Sequence, residues 1–105
     1  MAKSLKEINM NYQKAQRAAS HLEDAAHFLS RFSANENDYI QHQLRKNWTG
    51  ENASLFSAQN QSLFYAMDIL SRQMMEEAIR ISLKADIVKT AEKHALAIAQ
   101  KSGKK

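Results

Sequence analysis

The chain of 105 residues contains no proline and only one interior glycine, Gly50; the second glycine, Gly103, lies in the tail. Pro and Gly are the strongest local punctuators of a chain, so a sequence with one interior Gly has one obvious place to turn. That place is the stretch Lys46-Asn47-Trp48-Thr49-Gly50-Glu51, near the midpoint, which also carries the single Trp. Gly tolerates the positive φ that a tight turn demands. The simplest reading is a helix over about 4–46, a turn at 47–50, a second helix over about 51–101 and a short basic tail.

Helical spacing supports this on both sides of the turn. Ser4 followed by Glu7 has the spacing of a capping box, which predicts the first helix start. Leu5, Ile8, Tyr12, Ala15, Ala19, Leu22, Ala26, Leu29, Ser33, Ile40 and Leu44 then follow steps of three and four, one face of a helix. Residues 33–38, Ser-Ala-Asn-Glu-Asn-Asp, are polar and poor helix formers. Without Gly or Pro among them, a continuous helix with a soft spot is expected. In the second half Phe56, Leu63, Met67, Leu70, Met74, Ala78, Ile81, Ala85 and Val88 form the matching stripe. Facing stripes with abundant Ala predict an all-α fold, an antiparallel two-helix hairpin packed knobs-into-holes.

Each helix carries a second apolar ridge, which a two-helix hairpin has no third layer to cover. On the first it is Met10, His21, Ala25, Phe28, Phe32 and Tyr39; on the second it is Tyr65, Ile69, Leu83, Ile87 and Ile98. Aligned apolar side chains on a bare face suggest a partner. Phe28, Phe32, Tyr39, Tyr65, Ile69, Leu83 and Ile87 are therefore the expected partner-binding residues, with the hairpin completing a helical bundle with another protein.

Other functions find little in the sequence. The absence of Cys removes disulfides, Zn-thiolate sites and thiol nucleophiles. His21, His27, His42 and His94 form no metal-ligand spacing, and no Glu-x-x-His di-iron signature occurs. No Gly-rich loop or nucleophile elbow is present. No catalytic, cofactor-binding or metal-binding residue is expected, and the chain reads as a non-enzyme. The net charge is +4, from 15 Lys and Arg against 11 Asp and Glu. Divided at Gly50, neither half is distinctly basic, so nucleic-acid binding ranks as a distant alternative. No apolar run reaches the length of a membrane span, and the N-terminus lacks the apolar core of a cleaved signal peptide.

The turn carries a more specific signal. Trp48, Gly50, Glu51, Ala53 and Phe56 make a W-x-G-E-x-A-x-x-F string between two helices in a chain of about a hundred residues. This resembles the WXG family of small type VII secretion proteins, the ESAT-like helical hairpins. The resemblance covers length, helix layout and turn position, with Trp48, Gly50 and Phe56 as the turn motif. Two features depart from the family pattern. Where secreted members carry Y-x-x-x-D/E, this chain has Ser82 four residues before Asp86, and its net charge is positive where members are often acidic. The better fit is the group of small hairpins that bind the helical N-terminal domain of LXG toxins and target them for export. The resemblance thus implies an accessory protein whose partner is an LXG toxin or a sister hairpin, cytoplasmic or co-secreted without a cleaved signal. A self-associating secreted homodimer is the alternative.

Overall fold

A computed structural model of the chain describes residues 3–47 and 50–103. Two long α-helices account for nearly all of them, α1 (Leu5–Asn47) and α2 (Glu51–Gly103), and no strand occurs among the described residues. This is the all-helical, two-helix organisation that a helical hairpin requires.

The helix ends follow local chemistry. The Glu7 amide donates to Ser4 Oγ at 3.2 Å and the Ile8 amide to the Ser4 carbonyl at 3.0 Å, so Ser4 caps α1. Residues 33–38 are helical throughout. Gly50 has φ +107°, a conformation that L side chains rarely adopt, and α2 begins at the next residue. Trp48 and Thr49, half of the expected turn, lie outside the described residues.

The chain divides into two compact units. The first combines Met1–Leu22 with Glu76–Lys105 and the second is Glu23–Met75. In the first unit the segments run antiparallel: Lys3 meets Glu92 at 3.3 Å, and further along α1 Gln16 meets Ser82. Its buried seam is Ile8, Ala19, Ala78 and Ala85. In the second unit the buried residues are Ala26, Ser33, Ala53 and Ser71. Only Ile8 is a large side chain among these; the other bulky seam residues, such as Leu22, Leu29, Phe64 and Ile81, are half-buried. The two buried serines impose no polar demand on the seam. Ser33 Oγ donates to the Ser30 carbonyl at 3.0 Å and Ser71 Oγ to the Asp68 carbonyl at 2.7 Å, each one turn back in its own helix.

The α1 stripe lies as expected from Ile8 to Leu44, while Leu5 is exposed. The α2 stripe is correct at Met67, Met74, Ala78, Ile81 and Ala85 and wrong elsewhere. Phe56, Leu63, Leu70 and Val88 are exposed; the seam positions are Ser57, Phe64 and Ser71, each one residue further on. At Phe56, Leu63 and Leu70 the expected position lies about 100° around the helix from the real one. Counting apolar residues misled at Phe56 and Leu70 because the seam there takes the small Ser57 and Ser71; at Leu63 the adjacent Phe64 is equally apolar, and periodicity alone does not choose between them.

Candidate protein-binding surface

Large apolar side chains that the thin seam cannot hold are displayed at the surface. In the second unit, Phe28 is 64 % exposed and Tyr39 62 %, with Phe32 nearby on the same helix. The Phe28 and Phe32 rings stack with centroids 6.0 Å apart and planes at 19°, as their four-residue separation on one helix face allows. On α2 of that unit, Tyr65 and Ile69 are exposed, again one turn apart. In the first unit Leu83 and Ile87 are exposed, with Ile87 67 % accessible. All seven residues expected to meet a partner are therefore at the surface. Exposed Phe56, Leu63 and Leu70 in the second unit add a row that sequence reasoning had assigned to the core.

Polar contacts fix the pairing beneath these ridges. In the first unit Gln16 Nε2 donates to the Ser82 carbonyl at 3.2 Å while Ser82 Oγ donates to Gln16 Oε1 at 2.9 Å. In the second, Gln41 Nε2 donates to the Ser57 carbonyl at 3.5 Å and Ser57 Oγ to Gln41 Oε1 at 2.6 Å. One Gln amide thus brackets one Ser in each unit. Neither pair was foreseen, because a lone Gln or Ser carries no sequence signal until a partner helix is placed against it.

The first unit also holds an apolar cleft of about 300 Å³, lined chiefly by Ile8, Tyr12, Ala15, Ile81, Ala85 and Val88. Lys89 Nζ sits 4.0 Å from the Tyr12 ring centroid, a cation–π contact at the rim. Hydrogen bonding to the Asp86 carboxylate, with smaller contributions from burial and the Asp86 charge, holds the Tyr12 hydroxyl above its ordinary pKa of 10.0; Gln16 opposes this in part. Among the described residues no group of three or more His, Cys, Asp or Glu is placed to hold a metal ion. His21, His27, His42 and His94 are all exposed.

Charge follows the units and not the halves of the sequence. Segments 1–22 and 76–105 together contain eleven Lys and Arg against five Asp and Glu, a net +6; segment 23–75 contains four against six, a net −2. Division at Gly50 hides this, because each helix contributes part of its length to each unit. Among the described residues, no helix is long and apolar enough to cross a membrane. No protein-family model, curated protein or solved structure matches the chain.

Proposed function

We propose that this chain is an accessory protein of type VII secretion, a helical docking module that binds another helical protein for export. The observation carrying this reading is the pair of exposed apolar ridges, Phe28–Phe32–Tyr39 on α1 and Tyr65–Ile69 with Leu83–Ile87 on α2. Apolar anchors at three- and four-residue spacing are what helix-on-helix recognition uses, and aromatic anchors commonly dominate interface energy. The accessible surface supports it: 8130 Å² for 12.0 kDa, against about 6,000 Å² for a folded monomer of that mass. The difference is more than one side of a standard protein interface, about 800 Å².

The W-x-G-E-x-A-x-x-F string directs the choice of partner to an LXG toxin N-terminal domain or a sister hairpin. The chain acts by binding, needs no cofactor, and works in the cytoplasm or leaves the cell with its cargo. The test is co-expression with a helical LXG-toxin N-terminal domain, followed by co-purification. Wild-type protein is expected to retain the toxin domain. Phe28→Ser with Phe32→Ser, or Ile69→Ser with Ile87→Ser, should keep helix content by circular dichroism and lose the toxin domain. Retention by both double variants would refute the ridge assignment. A stable dimer of the chain alone, with no affinity for toxin domains, would favour the homodimer.

A further inference from the structure

The first unit shows what chemistry its partner must have. Ile79, Leu83 and Ile87 follow one another at four-residue steps along α2, all more than half exposed, and Ile98 continues exposed further along. A four-step ridge fits into the groove between the ridges of another helix. The ridge is aliphatic throughout, without the Trp or Phe that helps seat helices in a bilayer interface.

Beside this ridge the free cations outnumber the free acids, of which Glu76, exposed one turn before Ile79, is one. Three of the unit's five acids are engaged inside it: Glu77 with Arg80 at 2.9 Å, Glu92 with Lys3 at 3.3 Å, and Asp86 with the Tyr12 hydroxyl. Lys84 lies one turn from Ile87 and Lys101 one turn from Ile98, both exposed and neither in an ion pair or hydrogen bond among the described residues. On α1, Lys6, Lys14 and Arg17 are equally uncompensated. An apolar ridge bordered by free cations complements an apolar stripe bordered by carboxylates.

We infer that the first unit docks an acidic amphipathic helix, with Ile79, Leu83 and Ile87 in the dry contact and Lys84 and Lys101 pairing with Asp or Glu on the partner. This rests on the helix-docking reading above and assigns the ridge of the first unit a charge preference. Such rim charges set partner choice and association rate more than the strength of the finished contact, so the preference discriminates among helical proteins offering similar apolar stripes.

The experiment uses the full chain and two labelled synthetic amphipathic helices with identical Leu stripes, one flanked by Glu and the other by Lys, with fluorescence anisotropy as the readout. The Glu-flanked helix should bind, weakening about tenfold between 50 and 300 mM NaCl as screening shortens the range of charge interactions. The Lys-flanked helix should not bind. Lys84→Glu with Lys101→Glu should reverse the preference, while the charge-matched control Arg45→Glu with Lys46→Glu, in the second unit, should leave it unchanged. Equal binding of both peptides would overturn the acidic preference while leaving helix docking intact. Binding of neither peptide would remove both. An equal response to the two charge-reversed variants would overturn the placement on the first unit. Binding of phosphatidylglycerol vesicles, lost in the Lys84/Lys101 variant, without capture of the Glu-flanked helix would assign the surface to lipid and overturn the proposal.

Discussion

Replacing Gly50 with Ala isolates the torsional demand of the turn from every packing effect. A Cβ built on Gly50 meets nothing within 4 Å, so no steric clash enters the balance. What remains is φ +107°, outside the conformations a side chain tolerates, at a cost of about 1 to 3 kcal/mol. Ala also restricts the unfolded chain, which returns about 0.4 to 1 kcal/mol. The net expectation is destabilisation by about 1 to 2 kcal/mol. With a urea m-value of about 1–3 kcal/mol/M, the unfolding midpoint should fall by roughly half to one molar. Circular dichroism at 222 nm during urea unfolding reads this directly. Gly103→Ala is the internal control: Gly103 ends α2 without positive φ and also has open space at its Cβ. That substitution should be neutral or slightly stabilising. If Gly50→Ala leaves the midpoint unchanged, or Gly103→Ala lowers it equally, the turn does not depend on the Gly50 backbone.

Other substitutions probe the seam and the cleft. Ser71→Leu should overpack the buried seam and cost about 1 to 3 kcal/mol, whereas Leu70→Ser, one residue away and 48 % exposed, should change stability little; calorimetric melting of both tests the rotated stripe. Asn37 Oδ1 is buried without a hydrogen-bond partner, so Asn37→Ala should stabilise by about 1 kcal/mol, and an unfolding midpoint that falls instead would refute that. Because the Tyr12 pKa is raised, its contribution to stability is fully present below the ordinary value near 10 and is lost as pH rises through the folded value. Absorbance titration at 295 nm, differenced against Tyr12→Phe, should show Asp86→Asn moving the Tyr12 midpoint down; an unmoved midpoint would remove Asp86 as the cause.

Much of this architecture is legible along the chain because helices are local. The absence of Pro, the lone interior Gly50 and the Ser4–Glu7 cap act within a few residues of themselves, and they locate two helices and the end of the turn. The α1 stripe is equally legible, since its apolar side and its buried side coincide over Ile8 to Leu44. The ridges at Phe28, Phe32, Tyr39, Tyr65, Ile69, Leu83 and Ile87 could be read too, because they stand well away from the small-residue seam. Only the tertiary structure decided which side of α2 is the seam. Periodicity reports hydrophobicity, while close helix approach selects for size, so Ser57 and Ser71 entered the contact and Phe56 and Leu70 were turned out of it; between Leu63 and Phe64, both apolar, only the packing chose. The Gln16–Ser82 and Gln41–Ser57 pairs and the +6 charge of the first unit have the same origin. They exist only once residues far apart in sequence are brought side by side, and no property of either segment alone contains them.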